Sequence, residues 1–192
     1  MKEDLRIVKS KEKIYDALAT LMLVQEYEDI QLMDIAKQAK VSRQTIYRNF
    51  QHKEHILLDR FDRWFHQVLE DVKALEKTPD KVNHLFSKVG EDLTFFRLLA
   101  GAHLDMPLLR YFNEITQAIV PARPKATTYV DQVASDLWIQ YHAGGLFQLY
   151  RSMLNETTRL RPDELTQLFL SLVYQDSQLE PSDTLEGSDE KT

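Results

Sequence analysis

Residues 33–57 read MDIAKQAKVSRQTIYRNFQHKEHIL, and this stretch decides the fold. Met33–Ala39 places Ile35, Ala36 and Ala39 on one side of a short helix, with small residues that let a second helix approach closely. Val41-Ser42 reads as a turn ending in a helix N-cap, because a serine hydroxyl can satisfy an amide that the first helical turn leaves open. A second short helix follows over Ser42–Phe50. Ile46 and Phe50, four residues apart, anchor it inward, which leaves Arg43, Gln44, Thr45, Tyr47, Arg48 and Asn49 facing outward. Two short helices joined by a very short turn predict a helix-turn-helix. The outward set has the chemistry to read duplex DNA: arginine pairs bidentately with guanine, glutamine and asparagine with adenine, and hydroxyls with phosphate. Lys53, at the start of the next helix, is placed to meet a phosphate together with that helix's amide dipole.

Working outward, helical spacing dominates and the expected fold is all-α. A helix beginning near Ser10 carries Ile14, Ala17, Leu18, Leu21 and Met22 on one face. A long helix from about Lys53 carries Leu57, Phe61, Trp64, Val68, Val72 and Leu75, and Thr78-Pro79-Asp80 is expected to end it. Further helices are expected over 80–103, 107–120, 127–156 and 163–175, with Pro121–Pro124 as a loop. The last of them carries Leu165, Leu168, Phe169, Leu172 and Val173. This stripe is too apolar for one subunit to hide, so the last two helices are expected to pair across a two-fold axis as a four-helix bundle, with Phe169 in the contact. The organisation read from the chain is a DNA-binding domain over 1–53, a helical ligand-binding and dimerisation domain over 54–175, and an acidic tail over 176–192. The tail holds six acids and one lysine without an aromatic residue, and is expected to be disordered.

The net charge of −6 argues at first against nucleic acid. Residues 1–55, however, hold ten Lys/Arg against nine Asp/Glu, so the acid lies in the remainder of the chain. DNA binding needs positive charge on one face and not over the whole protein. With no cysteine there is no disulfide, thiolate metal site or cysteine nucleophile. No apolar run is long enough to span a bilayer, and Met1–Ser10 lacks a signal-peptide core, so a cytoplasmic protein without a membrane partner is expected. The six histidines show no compact metal spacing. No nucleophile–base motif, P-loop or paired carboxylates in a distinctive context is present, so neither an enzyme nor a cofactor or metal site is expected.

The stretch Ile14–Leu58 resembles the DNA-binding domain of the TetR/AcrR family of regulators. The resemblance rests on Asp34-Ile35-Ala36, Val41-Ser42, Thr45-Ile46-Tyr47, Phe50 and Lys53-Glu54. It implies that Arg43, Gln44, Thr45 and Asn49 enter the major groove while Tyr47 and Lys53 clasp the backbone. Three departures stand out. Gln31 replaces the usual Ser or Thr that caps the supporting helix against a phosphate. Glu26 and Lys40 replace glycines that suit left-handed backbone, and Lys40 adds positive charge beside the DNA instead. With Ser42 and Arg48, these complete the expected DNA-binding residues. The run YHAGGLFQLYRSMLNETTRLRPDELTQLFLSLV resembles one C-terminal subgroup of the same family.

The resemblance implies a homodimer on a pseudo-palindromic double-stranded operator, acting as a repressor that a small-molecule effector relieves. His103, Tyr111, Trp138, Tyr141 and His142 are the candidate effector residues. Tyr141 and His142 lie just before Gly144-Gly145, where two glycines inside a helix imply either close helix approach or room for a ligand. The alternative from a different class is a coactivator related to the family that works through protein contacts. The cationic set Arg43, Arg48 and Lys53 favours direct DNA binding over it.

Overall fold

The computed structural model describes residues 5–120, 129–155 and 160–176, and among these the fold is all-helical. Helices α1 (Leu5–Leu21), α2 (Leu32–Gln38) and α3 (Arg43–Asn49) form an N-terminal three-helix unit. Ile14, Leu18, Ile35, Ala36, Ile46 and Phe50 fill its core, as the spacing predicts. Helix α4 (Glu54–Ala74) runs from this unit into the second one, formed with α5 (Thr78–Glu91), α6 (Leu93–Gly101), α7 (Leu109–Ile119), α8 (Tyr129–Leu154) and α9 (Pro162–Asp176). Helix α7 packs on α8 and α4, and α9 packs on α5. Pro121–Pro124 and residues 177–192 of the acidic tail lie outside the described residues.

Four boundaries differ from expectation. Helix α1 starts at Leu5, so Ser10 lies inside it and is not its cap. Thr78-Pro79-Asp80 does not end α4. That helix stops at Leu75, which is extended, and Thr78-Pro79-Asp80 opens α5. Proline suits a first helical turn, where an amide hydrogen has no partner in any case. The single helix expected over 80–103 is two, broken at Asp92, whose φ of −121° and ψ of 33° leave the helical region. At the end of the last helix, Asp176 belongs to α9 and not to the tail.

The C-terminal stripe also divides. Leu165, Phe169 and Val173 are buried in the subunit's own core, whereas Leu168 and Leu172 are 41% and 46% exposed. Phe169 is therefore not an inter-subunit contact. An α-helix turns 100° per residue, so a five-residue apolar set spans more than one face and serves two surroundings.

The two departures at glycine positions resolve differently. Lys40 has φ 54° and follows α2 as its left-handed C-terminal residue. The Val41 amide donates to Ala36 O at 3.0 Å and the Lys40 amide to Lys37 O at 3.1 Å, a closing pattern that satisfies two free carbonyls of the helix end. The left-handed side chain costs about 1–2 kcal/mol. Glu26 is extended, with φ −65° and ψ 142°, so no left-handed residue is needed there.

Candidate nucleic-acid interface

The turn between α2 and α3 is built from local hydrogen bonds. Ser42 Oγ accepts from the Thr45 amide at 3.1 Å, the N-cap the sequence predicts, which contributes about 1 kcal/mol. Ser42 Oγ also lies 2.8 Å from Thr45 Oγ1. Gln31 keeps the cap position of α2. Its amide donates to Asp34 Oδ2 at 3.2 Å, so the missing Ser or Thr does not unseat the helix start.

Ile46 and Phe50 pull α3 onto the core. On the opposite side Ser42, Arg43, Gln44, Tyr47 and Arg48 are exposed, with Thr45 and Asn49 half-buried beside them. The Arg43 guanidinium lies 5.6 Å from the centre of the Tyr47 ring one turn on, which holds the two on a common face. Asn49 Nδ2 donates to Thr45 O at 2.7 Å, so part of its amide is engaged by its own helix. Lys40 is exposed at the turn, beside the start of α3.

Lys53 stands apart from this set. Its Nζ donates to the carbonyls of Tyr27, Glu28 and Ile30 at 2.5, 3.0 and 3.0 Å. It also sits 4.3 Å from the centre of the Tyr27 ring. All three ammonium protons are thereby engaged, so the lysine placed by sequence at a phosphate instead ties α4 to the turn that precedes α2. Sequence reasoning could not find this role, because Tyr27 lies 26 residues away.

The five candidate effector residues do not line one cavity. His103 ends α6 in the left-handed region at φ 55°, with the Leu104 amide donating to Leu99 O at 2.9 Å, and its exposed ring lies 3.6 Å from Glu28. Tyr111 is buried, donates its hydroxyl to Asp62, and accepts from Arg110 Nη2 at 2.5 Å. Burial, followed by the Asp62 hydrogen bond, pushes its hydroxyl above the ordinary tyrosine range. The Trp138 and His142 rings lie 4.0 Å apart, tilted by 52°, and His142 Nδ1 is 2.8 Å from Trp138 O. Tyr141, by contrast, points outward and is 64% exposed. Where α4 to α8 converge, an apolar cavity walled by Phe61, Trp64, Phe96, Tyr111 and Tyr150 measures about 10 Å³, room for about one water.

Among the described residues no group of histidine, aspartate and glutamate could hold a metal ion, and no helix is long and apolar enough to cross a membrane.

Residues 10–59 match the family of bacterial regulatory proteins, tetR family. The chain is 25% identical over 176 residues to the uncharacterized HTH-type transcriptional regulator YxbF of Bacillus subtilis, covering 85% of this chain and 44% of that protein. It is 35% identical over 95 residues to the fatty acid metabolism regulator protein of the same organism, covering 47% and 46%. The chain thus spans less than half the length of these two relatives. It is also 22% identical over 163 residues to DhaS of Lactococcus lactis, an HTH-type dhaKLM operon transcriptional activator, covering 83% and 84%. Two solved structures share the fold. Lin0861 from Listeria innocua has a TM-score of 0.71 at 15% identity, with 91% of this chain and 94% of that one covered. Thermus thermophilus FadR, a TetR-family repressor in complex with lauroyl-CoA, has a TM-score of 0.55 at 18% identity, with 92% and 100% covered.

Proposed function

We propose that this chain, whose residues 10–59 match the bacterial regulatory proteins of the tetR family, is a regulator of that family that binds a pseudo-palindromic operator as a homodimer and represses transcription until a small molecule releases it. The observation that carries the reading is the outward face of α3, where Arg43, Gln44, Tyr47 and Arg48 are exposed together on a helix anchored from behind by Ile46 and Phe50. The proposed DNA-binding set is that face with Gln31, Lys40, Ser42, Thr45 and Asn49. Lys53 acts from behind by holding the turn before α2. In this reading residues 1–53 are the DNA-binding domain and 54–175 the regulatory one, in a cytoplasmic protein.

The dimer is proposed to form on the outer face of α8 and α9. Val133, Leu137 and Tyr141 follow one another along α8, beside Gly144 and Gly145, where an added Cβ would meet nothing within 4 Å. Leu168 and Leu172 continue the apolar surface on α9. Burying a side chain of this kind contributes about 1.5–3 kcal/mol, which favours pairing over exposure. Two subunits so joined would set their α3 helices about 34–36 Å apart, the distance between successive major grooves.

The effector reading is supported by FadR, described with lauroyl-CoA. The aromatic cavity accepts only about one water as it stands, so an effector there must be apolar and must open it. Similarity to DhaS, named an activator, favours a second reading in which the same DNA contact activates transcription. Selection of bound duplexes from a random pool by the purified protein tests the operator reading: a two-fold related sequence is expected, and failure to enrich any sequence would contradict it.

A further inference from the structure

Arg60 of α4 reaches three elements with one side chain. Its guanidinium lies 4.2 Å from the centre of the Tyr15 ring on α1 and 5.0 Å from that of Phe95 on α6. Both rings are buried. Its Nη2 donates to Asp92 Oδ2 at 2.8 Å, at the break between α5 and α6, and Nη1 lies 3.5 Å from Glu12 Oε2 on α1. Around it Arg63 pairs with Glu12 at 2.5 Å and with Asp59 at 3.2 Å, while Lys11 meets Asp59 at 2.8 Å.

An isolated surface ion pair holds little. This group differs, because a planar guanidinium lies against two buried rings that meet edge to face, while its fork reaches carboxylates on two elements. A lysine could supply the charge but neither the plane nor the fork. The break at Asp92 also gains a reason, since it presents a carboxylate to α4 at the point where α1 and α6 meet. Beside Arg60, α1 also meets α6 directly at the Tyr15–Phe95 ring pair, with centres 5.7 Å apart.

We propose that Arg60 is a positioning residue, which fixes the angle of the DNA-binding helices against the α5–α6 body and so sets the half-site separation that the dimer accepts. The inference rests on the reading of a dimer on a two-fold operator.

The test uses the duplex selected with wild-type protein, a series of it with the centre lengthened or shortened one base pair at a time, and a duplex holding a single half-site. Wild type is expected to prefer one spacing. Arg60→Met, Arg60→Lys and Asp92→Asn are expected to bind the half-site within about twofold of wild type, since none alters α3. Their preference between the best spacing and its neighbours is expected to fall about fivefold or more. The double variant Arg60→Lys with Asp92→Asn should lose no more than the greater single loss, because both remove one connection. Where Arg60→Met fails to fold, as judged by circular dichroism, the two milder variants carry the test.

A spacing preference that persists in Arg60→Lys and Asp92→Asn overturns the inference. So does a half-site affinity that falls as far as operator affinity. A wild-type protein indifferent to spacing overturns the operator reading and the inference with it, whereas an unchanged preference in the variants overturns the inference alone.

Discussion

Lys53 Nζ sits 4.3 Å from the centre of the Tyr27 ring while donating to the Tyr27 carbonyl at 2.5 Å, so one ammonium grips both the face and the backbone of a single residue. The carbonyls of Glu28 and Ile30 complete its partners. Lys53→Ala is expected to weaken folding by about 1.5–3 kcal/mol, the range for hydrogen bonds to a charged group. Urea unfolding measures it. The salt dependence of DNA binding should change by less than the slope of about 0.9 that loss of one phosphate contact gives. A wild-type urea midpoint with a full unit lost from the salt slope would instead return Lys53 to the phosphate.

Arg43 is exposed at the first position of α3, with its guanidinium steadied over Tyr47. Arg43→Ala is expected to cost about 1–3 kcal/mol on the selected operator and to relax preference at one base position. Binding to a panel of single-base operator variants separates this from a uniform loss, which would mark Arg43 as a backbone contact.

Leu172 is 46% exposed on α9 whereas Phe169, three residues earlier, is 2% exposed. Leu172→Glu is expected to give a folded monomer by sedimentation, with operator affinity reduced because half-sites no longer combine. Phe169→Asp is expected to unfold the C-terminal unit, since an unpaired charge would replace a core ring. A dimeric Leu172→Glu protein that binds the operator normally would move the interface elsewhere.

Burial raises the hydroxyl pKa of Tyr15, Tyr27, Tyr111 and Tyr150 above the ordinary tyrosine range. The folded state disfavours the ionised form, so the stability these groups contribute is fully present below the ordinary value of about 10 and is lost as pH rises above it. Tyrosinate absorbance and helicity followed together through an alkaline titration should show these four ionising as the helices melt. Four further tyrosines remain of the eight in the chain. Ionisation of all eight before any loss of helicity would contradict the packing around these rings.

Much of this was legible in sequence where contacts are local. The Ser42 cap and the inward pair Ile46 and Phe50 follow from spacing within one or two turns, whereas the left-handed backbone at Lys40 came from the family resemblance, which implied the same at Glu26, where the backbone is extended. The roles of Lys53, Arg60 and Phe169 were not. Lys53 finds carbonyls 23 to 26 residues away, and Arg60 meets Asp92 32 residues away. Periodicity shows that Phe169 and Leu172 are apolar but not which face meets its own subunit. The five effector candidates were grouped by residue type, and the fold scattered them because His103 ends a helix, Tyr111 joins the core and Tyr141 faces out.

In the proposed function the exposed face of α3 reads duplex DNA through cations on an otherwise acidic chain. Fluorescence anisotropy of the selected duplex across a range of salt concentrations tests it most directly. The expected result is tight binding whose log K falls linearly with log salt at about 0.9 per phosphate contacted, over several contacts, with Arg48→Ala reducing that slope by about 1. A flat response to salt, or equal affinity for the selected duplex and a scrambled one, would contradict the claim.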